Sequence, residues 1–127
     1  MKQPPFLRSL RHAMTGLAEA VRSQRNAKIQ LAIGVLAVIA AAVVGFDAVR
    51  WAILILTIGL VLASEIMNTA VEAAVDLTTA EVHPLARQAK DAAAGAVLCA
   101  AVTAILVGAC LFGPPLWTSL IRTGIVP

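Results

Sequence analysis

Four polar side chains near the middle of the chain are spaced to act together. Glu65, Asn68, Glu72 and Asp76 stand at i, i+3, i+7 and i+11. On a helix turning about 100° per residue they fall within an arc of roughly 80°, spread over about three turns. The stretch before them, Trp51 to Ala63, has no charged side chain and is nearly all Ile, Leu, Val and Ala. Such a segment enters a bilayer, where each acid costs roughly 2.5–3.5 kcal/mol. That cost is tolerated where the acids face a protein interior, an ion or water. A stripe of carboxylate and amide oxygens suits a hard cation such as Mg²⁺. Interhelical hydrogen bonding is the structural alternative, but buried unpaired acids make poor glue.

The elements that position this stripe follow from composition. The chain has 127 residues, 60% hydrophobic and 13% charged, far less charge than a soluble domain carries, which points to an all-α membrane protein of a single domain. Phe6 to Arg25 is amphipathic: Leu7, Leu10, Met14, Leu17 and Val21 recur at three- and four-residue steps, with Arg8, Arg11, Glu19 and Arg22 on other faces. This predicts a surface helix over 6–25, lying in the membrane interface. Apolar runs predict transmembrane helices over 29–46, 51–75 and 92–112. The only polar residue of the first run is Gln30. The small residues Ala92-Ala93-Ala94-Gly95-Ala96 predict close packing at the start of the third. Gly113-Pro114-Pro115 is expected to end that helix, leaving 113–127 as a tail.

Between the second and third spans, Thr78 or Thr79 is a candidate helix cap and Pro84 suits a first helical position. Cys99 and Cys110 are expected as buried small apolar residues. Eight basic residues (Lys2, Arg8, Arg11, Arg22, Arg25, Lys28, Arg87 and Lys90) flank the spans on one side, against Arg50 and Arg122 on the other. This bias places the N-terminus, the 77–91 loop and the polar end of the second span in the cytoplasm. The formal charge of +3, with no Tyr and no base-reading motif, implies lipid headgroups rather than nucleic acid as the basic partner.

Carboxylates that hold a metal, one able to take a proton, and Lys90 to meet phosphate charge are the parts of phosphoryl transfer. Neither a P-loop nor a protein-kinase glycine loop is present. From the residues alone, a kinase, a hydrolase and an ion carrier stay open; a stripe confined to one end of one helix weighs against a continuous ion path.

Two motifs narrow this. Glu65-x-x-Asn68-Thr69-Ala70-Val71-Glu72-x-x-Val75-Asp76, followed by His83-Pro84-Leu85-Ala86 and Lys90-Asp91-Ala92-Ala93-Ala94-Gly95-Ala96-Val97, resembles the small bacterial integral-membrane diacylglycerol kinase family. Residues 76–97 are most similar to its branch that phosphorylates undecaprenol. The resemblance covers about 6–112. It implies a homotrimeric bundle in the bacterial inner membrane, three transmembrane helices and a surface helix per chain, and sites shared between protomers. It also implies transfer of the ATP γ-phosphate to the hydroxyl of a membrane lipid, with Mg²⁺. By position, Glu65 matches the family's catalytic base and Glu72 a metal ligand. Asn68 and Asp76 match polar residues of the same site, and Lys90 and Asp91 the nucleotide-binding pair. Arg25 is a further candidate for the nucleotide.

One position departs. Gln24 stands where the family normally has Glu, the second protein ligand of the metal. An amide oxygen coordinates Mg²⁺ without the charge, so affinity should fall. The readings are weaker metal binding, an introduced substitution, a shifted ligand such as Glu19, or a catalytically impaired relative that binds nucleotide or lipid without efficient turnover. Glu19 lies about one and a half helical turns from Gln24, too far to replace it without distortion. His83 reads as a capping or solvated residue and His12 as facing headgroups.

Overall fold

The computed structural model describes residues 6–78 and 83–125. They form four helices: α1 (Phe6–Ser23), α2 (Arg25–Val44), α3 (Ala48–Thr78) and α4 (Pro84–Arg122). Among the described residues there is no strand. Helices α2, α3 and α4 are each long and apolar enough to cross a membrane, because a bilayer leaves the backbone no partner but its own helix. The protein is therefore an all-α membrane protein.

The apolar stripe of α1 finds no cover within the chain: Leu7, Leu10, Met14 and Leu17 are exposed, as a helix lying on lipid requires. A single extended residue, Gln24 (φ −99°, ψ 122°), separates α1 from α2. The first spanning helix thus starts at Arg25 rather than Ile29, since helical backbone runs through Lys28 before the apolar run begins. At its other end α2 closes on Gly45, left-handed at φ 77°, whose N–H and that of Phe46 both bond the Ala41 carbonyl. Only glycine holds that conformation without Cβ strain. Asp47 then caps α3, its Oδ1 accepting from the Arg50 N–H at 2.9 Å.

At about 1.5 Å per residue, the 31 residues of α3 extend about 46 Å, well beyond a hydrocarbon thickness of about 30 Å. Helix α4 has 39 residues. His83 caps it, Nδ1 accepting from the Leu85 N–H at 3.2 Å, with Pro84 in the first turn. Thr78 ends α3 instead of capping, its hydroxyl bonded to the Val75 carbonyl, and Thr79 lies outside the described residues. The expected stop at Gly113-Pro114-Pro115 does not occur: α4 continues to Arg122 with both prolines inside it. The prolines remove two N–H donors but hold a helical φ, and Gly113 has no Cβ to meet the following ring.

Helix α3 packs chiefly on α4, and α2 lies against α3. The core sits toward the α2–α3 turn, where Ala41, Phe46, Leu54 and Leu111 are buried with Trp51, Ile58 and Phe112 around them. The Phe46 ring meets Phe112 at 4.8 Å and Trp51 edge-on at 6.2 Å, with the Arg50 guanidinium 5.9 Å from the Phe46 centroid. Close helix approach occurs at Gly34, where a Cβ would stand 3.2 Å from Ile58 Cγ2, and not at Gly95, where a Cβ meets open space. Cys99 and Cys110 are exposed rather than buried within the chain.

Candidate functional site

The opposite end of the bundle is built differently. Glu65, expected on the polar stripe, is buried to 3% exposure, and it is the buried charged residue among those described. Its Oε2 accepts from Gln30 Nε2 at 3.4 Å, a long bond from the one polar side chain of the first span. The carbonyl oxygen of the same Gln30 is buried with no partner. One helical turn on, Asn68 Nδ2 donates to Glu72 Oε1 at 3.2 Å, and Asn68 Oδ1 is again buried and unpartnered. Ser64 and Thr69 leave these groups alone, their hydroxyls bonded to the carbonyls of Val61 and Glu65.

Further along, the stripe reaches α4. Lys90 Nζ meets Asp76 Oδ1 at 2.5 Å, tying the last turns of α3 to the first turns of α4. Asp91 turns to Arg87 instead, 3.6 Å away and largely exposed, so the two acids are held by different cations. Exposed pairs of this kind stabilise little, about 0–1 kcal/mol, and their charges stay available. Gln24 sits half-buried at the α1–α2 break and caps nothing, while Arg25 beside it is exposed. The structure thus brings Glu65 to Gln30, Asn68 to Glu72 and Asp76 to Lys90. Among the described residues it gives no hydrogen bond or ion pair joining Gln24 or Arg25 to that stripe.

Gln30 is the residue that sequence reasoning passed over as a candidate. Its signal was present as a lone amide in an apolar span, but its partner lies 35 residues away. It also stands at the mouth of an apolar groove of about 360 Å³ running between α2, α3 and α4, past Gly34, Ala37, Ile58, Ala104 and Gly108 to Phe112.

Among the described residues, no three acidic, histidine or cysteine side chains converge on one point. Mg²⁺ commonly takes one or two carboxylates and fills its octahedron with water and substrate phosphate. The donors on the stripe fit that habit: the Glu72 carboxylate and the orphaned Asn68 oxygen beside it are hard oxygens, while the Gln24 amide offers a further hard oxygen that the structure does not join to them.

Comparison with known proteins places the chain in a family. The family profile described as prokaryotic diacylglycerol kinase matches residues 11–112. The chain belongs to that family. A Synechocystis sp. protein named diacylglycerol kinase is 44% identical over 119 residues, covering 93% of this chain and 68% of the relative. A Bacillus subtilis protein named undecaprenol kinase is 40% identical over 111 residues, covering 87% and 90%. An Escherichia coli diacylglycerol kinase is 41% identical over 71 residues, covering 56% and 58%. Membership of the prokaryotic diacylglycerol kinase family makes the protein an integral-membrane lipid kinase with ATP as a substrate.

Proposed function

We propose that this prokaryotic diacylglycerol kinase family member moves the ATP γ-phosphate to the hydroxyl of a membrane lipid, undecaprenol or diacylglycerol. The observation that carries the reading is Glu65, a carboxyl buried at the polar end of the bundle with one long hydrogen bond. The lipid oxygen forms the new bond to phosphorus as the bond to the β-phosphate oxygen breaks. Glu65 takes the hydroxyl proton and ADP leaves. Before the reaction the unpartnered Gln30 oxygen accepts the hydroxyl's one hydrogen bond and holds the lipid in place, and the hydroxyl turns that proton to Glu65 as transfer begins. The apolar groove that opens at Gln30 suits a hydrocarbon chain, which would bring its hydroxyl beside Glu65.

Glu72, the Asn68 oxygen and Gln24 would hold Mg²⁺, which would supply positive charge against the nucleotide phosphates. Lys90, released from Asp76, meets phosphate oxygens; Asp91 and Arg25 complete the nucleotide side. The basic bias of residues 1–28 and 87–90 supports an inner-membrane placement with this end in the cytoplasm, where ATP is. A homotrimer, as the family resemblance implies, would supply the walls that a chain of 127 residues lacks.

Purified protein in mixed micelles with γ-labelled ATP should label undecaprenol, diacylglycerol or both. No label on either at high Mg²⁺ rejects the reading. Gln24 favours a second one, a relative impaired in turnover. Gln24→Glu separates the two: it should lower the Mg²⁺ concentration for half-maximal activity by about tenfold, or about 1.4 kcal/mol. An unchanged requirement would remove Gln24 from the metal.

A further inference from the structure

Helix α4 continues past its apolar span at the end of the bundle away from Glu65. Its apolar stretch Ala92–Phe112 is about 31 Å long, the thickness of the hydrocarbon. Phe46, Trp51 and Phe112 cluster at its end beside Arg50, the aromatic and basic composition of a membrane interface. The helix nevertheless continues to Arg122, beyond the family match, which stops at 112.

This extension is two-faced. Leu116, Trp117, Leu120 and Ile121 fall within an arc of about 140°, and Thr118, Ser119, Arg122 and Thr123 fill the opposite 140° or so. The four apolar side chains are 36% to 56% exposed, and Ile125 follows at 72%. The threonines are satisfied internally: Thr118 donates to the Pro114 carbonyl at 2.6 Å and Thr123 to those of Ser119 and Leu120. Arg122 is then the one charged group of the segment 113–125.

A straight continuation would lift Leu120 and Ile121 about 12–14 Å above Phe112, past an interfacial layer of about 5–7 Å and into water. The helix has its bending point where one is needed. Pro114 and Pro115 leave the carbonyls of Cys110 and Leu111 without helical N–H partners, and kinks concentrate at such sites. The apolar arc also continues the exposed Ile105–Leu106 surface of α4, so a lipid phase against that surface would meet the arc as well.

We propose that residues 113–125 form an interfacial foot. The chain bends at Gly113–Pro115 and lays Leu116, Trp117, Leu120 and Ile121 into the lipid interface on the face opposite Glu65, with Arg122 among lipid phosphates. The foot pins α4 in depth, and it stands independently of the assignment of catalytic roles.

Tryptophan occurs twice, at 51 and 117, so the full-length protein reports on this directly. In phosphatidylcholine–phosphatidylglycerol vesicles, the emission lost in Trp117→Phe is that of Trp117; Trp51→Phe isolates the same signal independently. The expected signal is blue-shifted and strongly quenched by lipids brominated near the headgroup end of their chains. Acrylamide should quench it several-fold less than free tryptophan. Quenching by acrylamide as efficient as for free tryptophan, with none by brominated lipid, overturns the proposal. Shielding from both quenchers also overturns it and points to cover by a second copy of the chain.

Discussion

The two ends of the α2–α3–α4 bundle are built on opposite terms. At the α2–α3 turn every local demand is met. Gly45 supplies the left-handed closure, Asp47 caps α3, and Phe46 packs on Trp51 and Phe112 beneath Arg50. At the other end, two amide oxygens, on Gln30 and Asn68, are buried without partners, and the Glu65 carboxylate has one long hydrogen bond. An unsatisfied buried polar group costs about 1–3 kcal/mol. The apolar end therefore supports a polar end that would be unstable alone, and unmet oxygens are what a hydroxyl or a metal can use.

This contrast can be broken or sharpened by mutation. Phe46→Ala should have the largest effect on stability, about 3 kcal/mol, because it empties the centre of the aromatic cluster. Turnover per folded molecule should hardly change. Thermal unfolding with kcat measured alongside checks both, and a lost kcat at full folding would mean the ends are coupled. Gln30→Leu should act the other way. Stability changes little, because losing the orphaned oxygen offsets losing the long Nε2 bond to Glu65, while the lipid KM rises about tenfold, or 1.4 kcal/mol. An unchanged KM would take Gln30 away from the lipid. Asp47→Ala should cost about 1 kcal/mol through the lost cap, with no effect on any kinetic constant.

Much of the architecture was legible because lipid simplifies the code. An apolar run of the right length has one stable backbone solution, and three such runs became three spanning helices. The ends were less legible, since hydropathy marks where lipid stops and not where the helix does. Arg25 to Lys28 and Pro84 to Asp91 are polar yet helical and continuous with their spans. Gly113-Pro114-Pro115 reads as a stop, but helical φ in proline and an absent Cβ in glycine let α4 pass through. The stripe Glu65, Asn68, Glu72 and Asp76 could be read because its order is local to one helix. The pairing of Gln30 with Glu65 could not, as it depends on the register of two helices, set by contacts such as Gly34 on Ile58. Lys90 and Asp91 are neighbours in sequence, yet they point to Asp76 and Arg87.

Glu65→Gln gives the most direct test of the whole account. The amide keeps the shape and can keep a contact with Gln30, but it cannot take a proton. Single-turnover transfer from labelled ATP to lipid should fall by about 10²–10⁴-fold, with nucleotide binding and thermal stability unchanged. Transfer at the rate of the unaltered protein, in a folded variant that still binds nucleotide, would contradict the account.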